Sequence, residues 1–495
     1  MADPKWMKRR PFPKMATYKT ASAFREALGK FAEEAGVTIK IGVDDEVLSS
    51  PRSPLGDKLT VFGKDVNRIA IQPMEGWDGS RDGKPSLFVT RRWQYFGSSG
   101  AGIIAGGEAT AVRADGRANP NQMIFCKENV GAIKTLLAQA RAAHREAHGH
   151  DNVVFGWQLT FSGRYSRPDG PWASHTAHSH PILDGRFNAT VDNVITDAEI
   201  RNLIELYVQA ARAAKEIGFD YVDIKACHGY FIHELLGAKT RTGDFGGRDF
   251  SARSRMFREI VQRIKSEVPG LGISTRVSIG DQLFPLNEDE SWGGRAPSDY
   301  HFALNDDGTW NAAEAYEFID LCRELGIDVI NTTAGSPYYS SQLQRAAENL
   351  PTDALETGVD PLVGLLQQMA MYQDLKARYP GVVFIGSGIS HLQQWLPNVA
   401  QWLAREDVLD VMGIGRAFLS TPDLPTQLLK NGVLPKKTMC KGFSACTTAP
   451  RKGFISGCFP LVDFFRGMDI WKTVKEGEYN PNLGELPPYP DEKAS

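Results

Sequence analysis

Residues 220–257 read DYVDIKACHGYFIHELLGAKTRTGDFGGRDFSARSRMF. The segment begins with a short apolar run of β-formers (YVDI), and a helical run follows at 231–236. Between the two runs lie three proton-active side chains, Lys225, His228 and Tyr230. Polar side chains gathered where a strand turns into a helix are typical of the active-site end of a parallel α/β barrel. A strand end with incidental polar residues is an equally good interpretation of this segment alone.

The same strand-to-helix alternation recurs along the whole chain. Strand-like apolar runs lie at 69–72, 102–105, 153–159, 221–224, 273–277, 329–332, 382–385 and 408–412. Helical stretches between them include 130–148, 198–217, 252–268, 312–325 and 363–379. Eight alternations predict an α/β protein with a parallel (β/α)8 TIM barrel. A doubly wound open sheet gives a similar alternation, but no G-x-G-x-x-G follows the first strand, which weakens that alternative.

The barrel is predicted to occupy residues 56–435, between an N-terminal extension (1–55) and a C-terminal extension with residual cysteines (436–495). In the N-terminal extension, residues 22–35 predict an amphipathic helix. Residues 59–62 predict a short strand that closes the bottom of the barrel.

Two connections are long, and both follow predicted strands. Residues 162–197 follow the third strand, and residues 280–310, with Trp292, Gly293 and Gly294, follow the fifth. Long loops at the carboxyl ends of barrel strands usually bind ligands or close over them, so both are predicted to shape the site.

Composition excludes several classes of protein. The chain has 495 residues, a formal charge of −3 and 23% charged residues, which gives no case for binding nucleic acid or an anionic membrane. No apolar stretch follows the basic N-terminus, and no run of about 18 apolar residues occurs, so we expect neither a secretory signal nor a spanning helix. Six widely spaced cysteines favour reduced thiols, and the expected location is the cytoplasm.

The central segment resembles the Old Yellow Enzyme family of flavin oxidoreductases, through DIKACHGY, the following helix, RTGDFGG and RSRMF. In that family the segment carries a His, a His or Asn three residues on, and a proton-donating Tyr two residues further. The matching positions are Lys225, His228 and Tyr230, so Lys225 departs from the usual His. The resemblance implies that Lys225 and His228 hold a substrate oxygen and that Tyr230 delivers a proton.

Further segments resemble the flavin site of that family in the expected order, from NRIAIQPMEGWDG to MGIGRAFLSTPDLP. The resemblance implies FMN as cofactor, held by Pro73, Met74, Gly107, Gln158, Arg276, Gly386, Ser387, Gly388, Gly415 and Arg416. Gln158 would meet the pyrimidine edge of the flavin, and Arg276 its N1–C2 carbonyl edge. The glycines near the last two strands would cradle the phosphate. Thr160 and Phe161 depart from the aromatic residue and His that usually precede Gly-Arg on the third strand.

Three of these residues also have a purely structural interpretation. Pro73 ends a strand ladder in any protein because it lacks an N–H. Gln158 is equally well explained as a buried amide satisfied by backbone groups. Arg276 could form a salt bridge with a carboxylate at a strand end.

The histidine and cysteine groups do not predict a metal site. His144, His148 and His150 lie near a helix end and His175, His178 and His180 in a loop, without accompanying cysteine or carboxylate patterns. Larger relatives, similar to 2,4-dienoyl-CoA reductase and trimethylamine dehydrogenase, hold an iron–sulfur cluster with four cysteines. Here Cys440, Cys446 and Cys458 remain, but Phe443 stands at the second ligand position, which argues against a four-iron cluster.

The nucleotide-binding domains of those larger relatives are not expected here, since about 37 residues follow Cys458. Electrons would therefore reach the FMN directly, from NADH, NADPH or a donor protein.

The leading hypothesis is an FMN-dependent oxidoreductase that reduces, or forms, a C=C bond conjugated to a carbonyl. The alternatives are a dehydrogenase or demethylase of the trimethylamine dehydrogenase type, a Schiff-base lyase that uses Lys225, and a flavin protein for binding or electron relay. The expected partner is an acidic or enone small molecule, with neither nucleic acid nor membrane. A homo-oligomer and an electron-donor protein remain open.

Overall fold

A computed structural model describes residues 4–282, 297–352, 354 and 358–490. Eight strands form a closed parallel barrel: β1 (Ile69–Ile71), β2 (Ile103–Ile104), β3 (Val154–Thr160), β4 (Tyr221–Ala226), β5 (Gly272–Ser278), β6 (Val329–Thr333), β7 (Val383–Ile385) and β8 (Met412–Ile414). Each strand pairs with its neighbours in chain order, β8 pairs with β1, and a bridge between Ile385 and Val411 joins β7 to β8. The predicted (β/α)8 barrel is confirmed.

A helix follows each strand and covers the outside of the barrel. These helices are α1 (Leu87–Ser98), α2 (Val130–His148), α3 (Asp197–Ile217), α4 (Arg255–Glu267), α5 (Ala312–Glu324), α6 (Pro361–Arg378), α7 (Leu396–Arg405) and α8 (Leu424–Asn431). Their ends follow ordinary capping rules: Thr196 and Glu199 form a capping box at the start of α3, and Gly218 ends that helix in the left-handed conformation. None of the helices among the described residues is long and apolar enough to cross a bilayer.

Shorter elements lie in the connections. The helices are Leu183–Arg186, Phe231–Leu236, Phe250–Arg253, Ser341–Gln344 and Arg416–Ser420, and a strand at Thr110–Ala111 pairs with β3. Trp292, Gly293 and Gly294, which the sequence assigns to a long binding loop, lie outside the described residues.

The barrel strands are buried on both faces, because helices cover the outside and side chains fill the inside. Every residue of β3 and β4 is buried. Near the active-site end, two amides span the interior: Gln72 Nε2 donates to Asn331 Oδ1 at 3.0 Å, and Asn331 Nδ2 donates to Gln72 Oε1 at 2.8 Å. This reciprocal pair satisfies both buried amides and gives the site above it a rigid floor.

A hairpin covers the opposite end of the barrel. Its strands are Leu59–Val61 and Lys64–Val66, which pair antiparallel. Phe62, at the turn, stacks on Tyr221 at the start of β4, with ring centroids 4.3 Å apart. The strand predicted at 59–62 is therefore confirmed, and it lies at the bottom of the barrel.

The N-terminal extension packs on the side of the barrel. Its helix, Ala21–Glu34, begins at Thr20, whose hydroxyl accepts a hydrogen bond from the Ala23 amide. On the buried face of this helix, Phe24 stacks with Trp395 at 5.6 Å between centroids. The predicted amphipathic helix is confirmed. Upstream of this helix, a two-residue strand (Lys8–Arg9) pairs with Asn349–Leu350.

The C-terminal extension lies over the active-site end of the barrel. Its helices are Ala445–Arg451, Asp463–Arg466 and Ile470–Lys475. They surround a small apolar cluster that includes Phe459 and Trp471 and reaches Phe88 of α1. The Ser456 amide donates to the Gly76 carbonyl at 2.6 Å, which ties the extension to the end of β1. The domain boundaries drawn from the sequence stay predictions.

The last strand begins four residues later than its apolar run predicts. The run starts at 408, whereas β8 is Met412–Ile414. The Val408 amide donates to the Leu403 carbonyl, and Asp407 adopts a left-handed conformation, so this stretch still ends the preceding helix. An apolar run that caps a helix and one that enters a strand look alike in a sequence.

Candidate active site

A cavity of about 270 Å³ opens at the carboxyl ends of the barrel strands. Most of the residues predicted for the site line it: Pro73, Met74, Gln158, Lys225, His228, Tyr230, Arg276, Ser387, Gly388, Gly415 and Arg416. They come from six different strands or the loops that follow them. The fold therefore brings together residues that lie up to about 340 positions apart in the chain.

Two predicted residues lie behind this lining. The Gly107 carbonyl accepts a hydrogen bond from the Met74 amide at 3.2 Å. The Gly386 carbonyl accepts one from Gln72 Nε2 at 2.9 Å. A side chain at Gly107 would meet the ring of Trp93 at 2.4 Å, so close packing alone requires glycine there.

A carboxylate that the sequence does not single out, Glu75, contacts two of the three residues predicted to be catalytic. Glu75 Oε1 accepts a hydrogen bond from the Tyr230 hydroxyl at 2.8 Å and lies 3.1 Å from Lys225 Nζ. Lys225 Nζ also lies 3.6 Å from the centroid of the Tyr230 ring. The only signal for Glu75 in the sequence is its position, directly after the predicted Pro73 and Met74.

The turn after β4 aims these side chains into one cavity. His228 has φ of +67° and Gly229 has φ of +76°. The His228 amide donates to Ser278 Oγ at 3.0 Å, and Ser336 Oγ donates to the His228 carbonyl at 2.7 Å. Two hydroxyls, one from β5 and one from the loop after β6, thus hold a non-glycine residue in a conformation that costs about 1–3 kcal/mol.

Burial and charge keep both Tyr230 and His228 neutral. Burial, followed by the charge of Glu75, raises the pKa of Tyr230 well above its ordinary value. Burial, followed by the positive charges of Arg276 and Lys225, lowers the pKa of His228 well below its ordinary value. The site therefore presents a phenol that keeps its proton and an uncharged imidazole.

Arg276 lies beside Lys225 in the register of β4 and β5. Its backbone amide donates to Asp223 Oδ1 at 3.1 Å, and burial raises the pKa of Asp223 to about 6. The Arg276 side chain is buried, and its Nε has no hydrogen-bond partner among the described residues. A buried guanidinium whose Nε has no hydrogen-bond partner among the described residues fits the carbonyl edge of a bound ring or an anion.

The other end of the cavity is built from glycines and hydroxyls. Gly388 has φ of +87°, and a side chain there would meet that of Gln368 at 2.3 Å. Ser387 Oγ donates to the Thr332 carbonyl at 2.9 Å, and Arg416 donates to the Ala346 carbonyl. Close backbone approach with a guanidinium nearby suits a phosphate group.

Several lining residues have no local sequence signal. Tyr338 stacks on Tyr165 at 3.8 Å between centroids, and its hydroxyl lies 3.3 Å from that of Tyr230. Arg167, in the loop after β3, and Arg451, in the C-terminal extension, also line the cavity. The loop after β3 is held by the buried Arg164, which pairs with Asp184 and, at 2.5 Å, with Glu234.

Among the described residues, no group of three or more His, Cys, Asp or Glu is placed so that it could hold a metal ion. Cys446 lines the cavity, and burial raises the pKa of both Cys440 and Cys458. Phe443 packs edge-on against Trp6. Burial also raises the pKa of Cys227 to about 12, which leaves an unreactive thiol behind β4.

Several known proteins are similar to this chain in sequence. The model of the NADH:flavin oxidoreductase / NADH oxidase family matches residues 64–289. An NADPH dehydrogenase of Halalkalibacterium halodurans is 29% identical over 226 residues, which cover 45% of this chain and 62% of the relative. An NADPH dehydrogenase of Bacillus subtilis is 27% identical over 276 residues, which cover 54% of this chain and 70% of the relative. The match thus spans less than two thirds of the length of the first of these relatives.

Solved structures share the fold. A 2-naphthoyl-CoA reductase in complex with 2-naphthoyl-CoA has a TM-score of 0.60 at 18% identity, and the match covers 87% of this chain and 57% of that chain. The old yellow enzyme homologue from Zymomonas mobilis has a TM-score of 0.53 at 21% identity, covering 79% of this chain and 98% of that chain. Both similarities cover most of this chain, and they are similarities of fold.

Proposed function

We propose that this chain, whose residues 64–289 match the model of the NADH:flavin oxidoreductase / NADH oxidase family, is an FMN-dependent oxidoreductase of that family and takes electrons from NADH or NADPH. We propose further that it reduces a C=C bond conjugated to a carbonyl. One observation carries this proposal: Tyr230, hydrogen-bonded to Glu75, faces the same cavity as the buried Arg276, whose Nε has no partner among the described residues.

The residues of the cavity fit FMN. Arg276 and Gln158 would meet the pyrimidine edge of the ring, beside Pro73 and Met74. Backbone amides near Gly388 and Gly415, with Ser387 and Arg416, would hold the phosphate. When bound, FMN supplies two-electron transfer between the nicotinamide and the substrate. A positive charge at Arg276 would favour the reduced, more negative ring.

Lys225 and His228 would polarise the substrate carbonyl. His228 is held neutral, so its ring presents one N–H donor, while its Nε2 lies within 3.4 Å of Thr333 Oγ1 and of Gln344 Nε2. Lys225 would bring an N–H donor to the same oxygen, with its Nζ 3.1 Å from Glu75 Oε1. Donors that face the place where negative charge develops on an oxygen lower the barrier most when water is excluded.

Tyr230 would donate the proton that the adjacent carbon requires. Its raised pKa keeps the phenol protonated across the neutral range. The hydroxyl donates to Glu75, and it would turn from that carboxylate to reach the substrate carbon. Lys225, bonded to the same carboxylate oxygen, is placed to return a proton to Tyr230 through Glu75.

The lyase hypothesis receives no support from the geometry. A Schiff base requires an unencumbered neutral amine, whereas Lys225 is paired with Glu75 and lies on the face of Tyr230. Glu75 also favours the reverse reaction, in which the substrate is oxidised. A carboxylate beside Tyr230 would accept the proton that substrate oxidation releases, as the dehydrogenase alternative requires.

The test is anaerobic stopped-flow spectroscopy of the protein reconstituted with FMN. We expect NADPH or NADH to bleach the flavin absorption, and 2-cyclohexenone to restore it. A protein that takes up no FMN, and in which borohydride traps a carbonyl substrate on Lys225, would overturn the proposal in favour of the lyase. If electron acceptors re-oxidise the flavin but no enone does, electron relay is the only function that remains.

A further inference from the structure

Arg167 occupies a defined position at the wall of the cavity, outside the flavin-binding set. Its guanidinium carbon lies 4.5 Å from the centroid of Trp77 and 4.7 Å from that of Trp172. Its Nε donates to the Ala118 carbonyl at 3.0 Å. Two aromatic rings and one backbone carbonyl thus orient the guanidinium, and its two terminal nitrogens remain for other contacts.

No carboxylate among the described residues forms an ion pair with Arg167, in contrast to Lys225, which pairs with Glu75. Burial lowers the pKa of Arg167; Tyr338, Tyr230 and Glu75 oppose this effect, and the charge of Arg451 adds to it. Burial, followed by the charge of Glu75, raises the pKa of Tyr338, and both guanidinium groups oppose that rise. Among the described residues that line the cavity, five arginines and Lys225 face a single carboxylate, Glu75, so a ligand anion would offset the remaining positive charge.

From this arrangement, and resting on the proposed function, we infer that the substrate carries a carboxylate group and that Arg167 binds it beside Tyr230. An oriented guanidinium presents two parallel N–H donors, which match the two oxygens of a carboxylate. Trp77 and Tyr338 supply aromatic walls for an unsaturated carbon skeleton next to that carboxylate. The substrate class is thus an unsaturated organic acid whose activated double bond lies under Tyr230.

A phosphate group fits this wall less well. Gly388, Gly415 and Arg416, in another part of the cavity, are the groups already proposed to hold the FMN phosphate. Around Arg167 the neighbours are aromatic rings, and the one backbone contact is an acceptor, the Ala118 carbonyl. Phosphate is preferentially held by several backbone N–H donors, which this wall does not provide among the contacts of Arg167.

The experiment compares two probes of the same shape, benzoate and benzamide, by isothermal titration of the FMN-loaded protein. We expect benzoate to bind more tightly than benzamide. Arg167→Gln should weaken benzoate binding about 10-fold or more, the loss of a charge-assisted hydrogen-bonded pair, and benzamide binding less than about twofold. Arg167→Lys keeps the charge but not the fork and should give an intermediate loss. If Arg167→Gln does not fold, the affinity of Arg167→Lys for benzoate still tests the inference.

Arg113→Gln is the matched control. Arg113 also lies over an aromatic ring, Phe161 at 4.8 Å, but it does not line the cavity, so neither probe should lose affinity. A preference for benzoate that survives Arg167→Gln would overturn the inference, since another cation would then hold the carboxylate. A loss that affects inorganic phosphate and spares benzoate would overturn it as well. A protein that binds no FMN fails the proposed function instead, and that failure shows before any probe is added.

Discussion

Tyr230 donates its hydroxyl hydrogen to Glu75 Oε1 across 2.8 Å, although the two residues lie 155 positions apart in the chain. The end of β1 supplies the acceptor, and the turn after β4 supplies the donor. A carboxylate in contact with the phenol holds the hydroxyl in place and raises the pKa of Tyr230 in addition to burial. Glu75 therefore orients the proposed proton donor and adds to the effect of burial on its acidity.

Glu75→Gln should move the alkaline limit of substrate reduction to lower pH. The charge of Glu75 raises the pKa of Tyr230, so removing that charge lowers this pKa and the phenol loses its proton earlier as pH rises. The measurement is the rate of enone reduction from about pH 7 to about pH 11. Glu75→Asp, which keeps the charge, is the control and should stay closer to the parent protein. A pH profile that does not move in Glu75→Gln would show that Tyr230 is not the titrating donor.

Tyr230→Phe should slow the reduction of the substrate roughly 100-fold or more, while flavin reduction by the nicotinamide keeps its rate. The reason is that the phenol supplies a proton only to the substrate carbon. Stopped-flow measurements separate the two half-reactions. Tyr338→Phe is the matched control, because its hydroxyl lies 3.3 Å from that of Tyr230 but is not assigned as donor, and it should cost much less. Equal losses in both half-reactions of Tyr230→Phe would contradict the proposed role.

The strands and the central segment could be predicted from the sequence because their signals are local. Apolar runs mark the strands, and Lys225, His228 and Tyr230 lie within six positions of one another. Glu75 and Tyr338 reach Tyr230 from 155 and 108 positions away, and no local pattern records such contacts.

The same distinction explains the two predicted glycines that lie behind the lining. Gly107 and Gly386 occur where a ligand-binding glycine is expected, and a sequence does not show whether close packing or a ligand requires the missing side chain. Gly107 faces Trp93, and Gly386 faces Leu409. The neighbours of a glycine are a property of the tertiary fold.

Arg276→Gln should weaken FMN binding about 10- to 100-fold, because the buried guanidinium would lose a charge-assisted contact with the ring. Arg276→Lys, which keeps the charge, should lose less. Equilibrium dialysis of the protein against FMN measures both. Arg113→Gln removes an arginine outside the cavity and serves as the control. An unchanged dissociation constant in Arg276→Gln would place the flavin elsewhere in the barrel.

The stability of the fold should depend on His233 when pH falls. His233 Nδ1 accepts a hydrogen bond from the Gly229 amide at 2.9 Å, which requires a neutral ring, and burial lowers the pKa of His233 to about 4. The unfolded chain takes up this proton near pH 6.5, so the contribution is complete above that pH and is lost progressively down to about pH 4, at a cost of roughly 3 kcal/mol.

His233→Gln keeps an acceptor for the Gly229 amide but does not titrate, so the difference between its melting temperatures at pH 7 and pH 4 should be smaller than in the parent protein. His150→Gln, at an exposed histidine, is the control and should follow the parent. Protonation of His233 should also affect the cavity, because the Gly229 amide belongs to the turn that places His228 and Tyr230 in the cavity. A melting-temperature difference that is the same in His233→Gln and the parent would show that this histidine does not set the acid sensitivity.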